Sequence, residues 1–206
     1  MIRGKFVTLE GGEGVGKTTN LEFIRDYLQS HGIRFLVTRE PGGTPIGEAI
    51  RRLIIESQGM VAQTELLLMF AARAQHLEEV IKPALAEGLW VVSDRFTDAS
   101  YAYQGGGRGI DTGVIRFLED WLQKGLEPDL TFLFDAPVEI GLRRARDRGG
   151  LDRFESERPA FLSRVRETYR ELAQRWPHRI KLLDATRPLA EVQADIAEHL
   201  DSLRQR

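Results

Sequence analysis

Apolar positions along the chain fall into two alternating patterns, short dense runs and longer stretches with helical spacing. The dense runs are Lys5–Glu10, Ile33–Thr38, Leu89–Arg95, Leu130–Asp135 and Ile180–Asp184, each rich in β-branched or aromatic residues. Runs of that length and composition predict strands. Between them, Leu21, Ile24 and Leu28, with Phe23 and Tyr27 beside them, recur as one helix face that His31-Gly32 should stop. A second helix is expected from Thr44-Pro45, turning Ile46, Ile50, Leu53 and Ile54 inward. The longest pattern covers residues 63–87 through Leu66, Leu67, Phe70, Ala74, Leu77, Ile81 and Leu85; Pro83 should kink or divide it, and Gly88 ends it. Further helices are predicted over Asp111–Leu122, Pro137–Arg146, Glu157–Arg175 and Leu189–Leu203. Arg39–Pro45 and Gly105–Gly109 read as loops.

Five strands alternating with helices imply an α/β domain whose parallel sheet is covered on both faces, with ligands beyond the carboxyl ends of the strands. At 206 residues the whole chain, 1–206, reads as one domain. A net charge of −2 does not suggest nucleic acid or a membrane as partner. The absence of cysteine excludes disulfides and thiolate metal sites. No apolar run approaches the roughly 18 residues of a membrane span, so the expectation is a soluble cytoplasmic protein.

The first strand leads into Gly11-Gly12-Glu13-Gly14-Val15-Gly16-Lys17-Thr18, which fits G-x-x-x-x-G-K-[ST], and a helix follows. Glycines let successive backbone N–H groups converge on phosphate oxygens. Lys17 brings charge to the β- and γ-phosphates, and the Thr18 hydroxyl can sit on Mg²⁺. The fold expected is therefore a P-loop NTPase-type three-layer fold, its five-stranded parallel sheet flanked by helices. Asp94-Arg95 ends a buried strand; it reads either as a Mg²⁺-supporting carboxylate with a second phosphate ligand, or as a strand-end salt bridge. Asp135 reads as a helix cap.

Arg143, Arg144, Arg146, Arg148 and Arg153 crowd around Gly149-Gly150. They form either a solvated helix face or a lid, about residues 146–156, that brings guanidinium groups onto a transferring phosphoryl group. Asp147-Arg148-Gly149-Gly150 matches D-x-x-G but follows a charged helix, and no N-K-x-D stretch accompanies it, which disfavours a regulatory GTPase. His31, His76, His178 and His199 are scattered and read as bystanders. Tyr101 and Tyr103 are placed to line a cleft. The residues alone leave open a small-acceptor kinase, a nucleotide-hydrolysing switch or motor, and a nucleotide-binding scaffold.

Leu9–Thr19, Thr38-Arg39-Glu40-Pro41-Gly42-Gly43-Thr44, Asp94-Arg95-Phe96 and Ala102–Ile110, extended by Leu151–Glu155 and Asp184-Ala185-Thr186, resemble bacterial thymidylate kinases over essentially the whole chain. The resemblance implies transfer of a phosphoryl group from ATP to dTMP, with Mg²⁺, by a homodimer. It implies ATP contacts at Gly11, Gly12, Glu13, Gly14, Val15, Gly16, Lys17, Thr18 and Thr19, with Arg143 and Arg187 as candidates for adenine. Thr18, Asp94 and Glu10 would support the metal. Glu13, Glu40, Pro41, Arg51, Arg73, Arg95, Ser100, Tyr103 and Gln104 would hold dTMP. Arg95 would grip its phosphate, Arg73 and Gln104 would bond the base, and Tyr103 would crowd the 2′ position. The family often stacks an aromatic ring on the base four residues before that arginine. Here the position is Met69, so either its thioether packs on the base or Phe70 reaches it. Position 14 carries no arginine, so the sequence resembles the members whose catalytic arginine lies in the lid, with Arg148 the first choice and Arg153 the second.

Overall fold

The computed structural model describes residues 3–147, 154, 157 and 159–205. Five parallel strands, β1 (Phe6–Gly11), β2 (Phe35–Arg39), β3 (Trp90–Asp94), β4 (Leu130–Asp135) and β5 (Ile180–Asp184), pair in the order β2-β3-β1-β4-β5. The central strands β1 and β4 are buried nearly end to end, as their continuous apolar character requires. Side chains alternate across the sheet. Val7 and Leu9 join one core with α1 (Lys17–Ser30) and α9 (Leu189–Arg204). Phe6, on the other face, packs with Leu77, Ile81 and Leu85. Thr8 and Glu10 share that second face. The Thr8 hydroxyl meets that of Thr131 on β4 at 2.7 Å.

The second face carries α3 (Ala62–His76), α4 (Lys82–Ala86), α5 (Thr97–Ser100) and α8 (Pro159–Arg175), with α6 (Thr112–Gln123) packed outside. The long helix changes its winding just before Pro83. The chain widens into a π-helical stretch, Leu77–Ile81, and continues as α4 with Pro83 in its first turn, the wider turn accommodating a ring without an N–H. Among the described residues, no helix is long and apolar enough to cross a membrane.

Two expectations are corrected. In α2 (Pro45–Glu56), Ile46 and Leu53 are about half exposed; the buried line is Gly47 and Ile54, with Ile50 partly covered. The helix therefore lies on α3 by a narrower stripe than four apolar residues suggested. The glycine run after Gln104 is also not a loop, because Tyr101–Gly107 forms a π-helix. Its glycines permit close packing on α8: a Cβ on Gly106 would come within 2.0 Å of Thr168 Oγ1, and one on Gly107 within 2.5 Å of the Phe161 ring. Arg164 on α8 then donates to the carbonyls of Gly106 (3.1 Å) and Gly107 (2.7 Å). A side-chain donor thus serves helix-terminal carbonyls that lack a partner within the helix.

Candidate active site

The phosphate loop joins β1 to α1. The α1 helix begins after Gly16, with no side-chain cap and no acidic residue in its first turn, so its free N–H groups form an anion site. Lys17 is buried, and its Nζ donates to the carbonyls of Gly11 (3.1 Å) and Gly12 (2.8 Å). Burial, and then the charge of Arg95, hold its pKa below the ordinary lysine value. Thr18 and Thr19 are exposed at the helix start.

Gly14 adopts φ +67° and packs against α7 (Val138–Asp147). A Cβ there would lie 2.0 Å from the Gly141 carbonyl oxygen, and a Cβ on Gly141 would lie 2.3 Å from that of Glu13. Loop and helix touch backbone to backbone, so position 14 has no room for an arginine.

Beside the loop, at the carboxyl ends of β1, β2 and β3, a pocket gathers Glu13, Glu40, Pro41, Arg51, Met69, Arg73, Arg95, Ser100, Tyr103 and Gln104. All of these were singled out in the sequence. Ile54, Ile55, Phe96, Ala99 and Phe154 complete its lining and were not named as site residues. Phe154 sits edge-on to Tyr103, ring centroids 5.6 Å apart. Of the two base-stacking candidates, Met69 lines the pocket. Phe70 does not, because its ring is 2% exposed in the core and lies under the Arg73 guanidinium, 4.6 Å away.

Arg95 has φ 70°, a conformation costly for a non-glycine residue by about 1–3 kcal/mol. Three contacts enforce it. Its N–H donates to the Leu9 carbonyl (2.9 Å), its carbonyl accepts from Ser93 Oγ (2.8 Å), and the following Phe96 N–H donates to Glu10 Oε1 (2.7 Å). The guanidinium is thereby aimed at Glu13 Oε1 (2.6 Å) and the Tyr103 hydroxyl (3.0 Å), while that hydroxyl donates to the same Glu13 oxygen (2.9 Å).

Glu10 therefore has a different place from the one expected near a metal. It has no exposed surface, and its second oxygen accepts from the Tyr169 hydroxyl at 2.7 Å. Burial, and then the charge of Asp98, push its pKa up to about 8. With both oxygens taken by protein donors, Glu10 braces the turn at Arg95. Asp94 fits the metal reading better, because its buried Oδ1 has no hydrogen-bond partner among the described residues.

Arg73 is fixed by three acceptors: Glu40 Oε2 (2.7 Å), Ser100 Oγ (3.1 Å) and the Phe96 carbonyl (3.1 Å). The other oxygen of Glu40 meets His76 Nδ1 at 2.9 Å, and His76 Nε2 meets Thr38 Oγ1 at 2.6 Å. His76, read as a bystander, is completely buried at the centre of this relay. Gly43, at φ +77°, passes so close that a Cβ would lie 2.6 Å from His76 Nε2. The Glu40-Pro41-Gly42-Gly43 stretch is thus a clamp on the helix bearing Arg73. Apolar spacing carried no signal for His76, since its partners are 36 and 38 residues away.

The outer candidates are dispersed. Arg143 is exposed on α7, while Arg187 pairs with Glu191 (3.0 Å) and Asp195 (2.6 Å) on α9. Asp135 does not cap a helix; it binds Arg166 through both oxygens and Arg170 through one. Arg148 and Arg153, and most of the expected lid, lie outside the described residues.

The family model for thymidylate kinase matches residues 9–196, nearly the full chain. The chain belongs to the thymidylate kinase family. The thymidylate kinase of Methylococcus capsulatus is 59% identical over 203 residues, covering 98% of each chain. That of Chromobacterium violaceum is 55% identical over 206 residues, 99% of this chain and 97% of its own. The crystal structure of the Ehrlichia chaffeensis thymidylate kinase superposes with a TM-score of 0.78 at 32% identity, covering 96% of this chain and 99% of that one. The sheet and helix layers described above are the P-loop fold of that family.

Proposed function

We propose that this protein transfers the γ-phosphoryl group of ATP to dTMP, giving ADP and dTDP. The observation that carries the reading is the position of Glu13. It belongs to the phosphate loop and also lines the pocket, where it holds Arg95 and Tyr103. A donor on the loop and an acceptor in the pocket would meet across that residue. An oxygen of the dTMP phosphate, already anionic near neutral pH, attacks the γ-phosphorus; the new O–P bond forms as the bond to the β–γ bridging oxygen breaks. No strong base is required, and catalysis is positioning plus charge compensation.

Lys17 serves the donor phosphates and Arg95 the acceptor phosphate. Arg73 and Gln104 face the base, with Met69 against it, and Tyr103 sits at the sugar. Because α7 fills the space at Gly14, further positive charge has to come from elsewhere; Arg148, then Arg153, are assigned that role. Mg²⁺ would be held by Thr18 and, through water, by Asp94, where it would neutralise charge on the transferring group. The orphaned Asp94 oxygen supports that fit.

A homodimer is also proposed. Val114, Phe117 and Trp121 line one stripe of α6 and are 48–67% exposed, with Leu67 and Val61 exposed on the neighbouring α3 end. Within residues 66–85, Leu67 offers exposed apolar surface to such a face, while Leu66, Leu77, Ile81 and Leu85 are buried within the fold.

Initial rates with ATP-Mg²⁺ and dTMP, dUMP, UMP, CMP, AMP or GMP test the activity. dTMP should give the highest kcat/KM; another preferred acceptor, or rapid ATP hydrolysis with none, would sink the proposal.

A further inference from the structure

The base-facing amide of Gln104 has a partner behind it. Glu65, on α3, has no exposed surface. Its Oε1 accepts from Gln104 Nε2 at 3.0 Å. Arg108 completes the arrangement, donating through Nε to Oε1 (3.2 Å) and through Nη2 to Oε2 (3.1 Å). Arg108 is itself held by Glu157 at 2.6 Å and lies over the Phe161 ring at 4.5 Å.

A carboxylate paired with a guanidinium accepts hydrogen bonds and cannot donate them. A primary amide has one donor corner and one acceptor corner. Facing Glu65, Gln104 must therefore present its nitrogen to the carboxylate and turn its carbonyl oxygen toward the pocket it lines. Beside it, Arg73 can only donate. The base-facing edge of the pocket is thus a donor followed by an acceptor. The thymine edge is its complement, with O4 accepting and N3–H donating. Cytosine presents the inverse, an amino donor and an N3 lone pair. Were the Gln104 amide flipped, its N–H groups would suit the cytosine N3.

We infer that Glu65 is a positioning residue for base selection, locking the Gln104 amide so that its oxygen accepts the N3–H of thymine and repels cytosine. The inference rests on the proposed contact between Gln104 and the base. It also makes a distinction that a general packing role would not. Uracil and thymine share O4 and N3–H, so Glu65 should bear on dTMP against dCMP and leave dTMP against dUMP alone.

The test measures kcat/KM for dTMP, dUMP and dCMP in the wild type, Glu65→Gln and Gln104→Ala. A glutamine at 65 can donate as well as accept, freeing the amide to flip. The dTMP/dCMP ratio should fall at least about tenfold, with dTMP/dUMP unchanged within about twofold. An unchanged dTMP/dCMP ratio in Glu65→Gln, alongside a collapsed ratio in Gln104→Ala, overturns the role of Glu65 alone. If Gln104→Ala also leaves the ratio intact, the base contact itself is wrong and both fall. Equal losses for dUMP and dCMP discrimination would likewise reject the inference. Should Glu65→Gln fail to fold, ¹⁵N spectra of the wild type decide. The Gln104 Nε2 proton that donates to Glu65 should hold its shift when dTMP binds; loss of that bond, seen as a large shift of this proton, would place the nitrogen on the base and refute the assignment.

Discussion

The phosphate loop and the pocket beside it are built by opposite means. From Gly11 to Thr18 the working groups are mainly backbone N–H, and their geometry follows from a contiguous run of residues and the helix start behind it. In the pocket the working groups are side-chain tips, each held by a second side chain distant in sequence: Arg73 by Glu40, Glu40 by His76, Gln104 by Glu65, Glu13 by Arg95. A backbone site tolerates change at its surroundings and little at its own positions. A side-chain site spreads its dependence over residues that never touch a ligand.

Mutations can break that contrast. The largest effect is expected from Lys17→Ala, which removes the buried cation of the loop; kcat/KM should fall by at least about 10³-fold. A loss under tenfold would mean the loop's N–H groups suffice without the charge. Next comes Gly14→Ala. The added Cβ meets the Gly141 carbonyl at 2.0 Å, in a φ region that alanine disfavours. Denaturant melts should show a loss of about 2–4 kcal/mol; a neutral result would show that α7 yields easily.

His76→Ala sharpens the comparison from the pocket side. It strands Glu40 Oε1 in a buried place and takes a partner from half-buried Thr38, so stability should fall by about 2–3 kcal/mol. KM for dTMP should rise about tenfold, while KM for ATP stays put. Equal rises in both would erase the distinction between the two halves.

The smallest expected effect concerns Glu10. Its pKa is raised from 4.5 to about 8 by folding, so between those values the folded state binds more protons than the unfolded one. Stability then declines as pH rises through that window. Glu10→Gln mimics the neutral acid, so its melting temperature relative to the wild type should climb between about pH 5 and pH 8. A constant difference would show that Glu10 stays charged throughout.

What the sequence made legible follows the same division. Leu130–Asp135 was visible because a strand covered on both faces demands an unbroken apolar run; the edge strand Ile180–Asp184, with Leu182 half exposed, was visible from its short apolar run, and both emerge with the expected bounds. The loop was visible because its requirements are local. The pocket's members were reached through resemblance, and most do share one cavity. His76 and Glu65 were not visible, since a single buried polar residue on an apolar helix leaves no periodic trace and its partners are set by tertiary packing. Gly105-Gly106-Gly107 misled for a related reason. Glycine usually marks a turn, yet here it answers to the proximity of α8, which no local pattern reports.

The contact between Gly14 and Gly141 has a mechanical consequence. The two backbones touch there without intervening side chains, so a tilt of α7 would turn about that contact. Beyond that point the helix extends six residues to Asp147, an arm of about 9 Å. Arg143, Arg144 and Arg146 ride on it, with Arg144 moored to the Ala185 carbonyl at 3.0 Å. A tilt of about 10° at the pivot would sweep the tip by about 1.5 Å. The arginine-bearing end of α7 is therefore tied to the phosphate loop through backbone alone, with no side chain between them to absorb a shift of either.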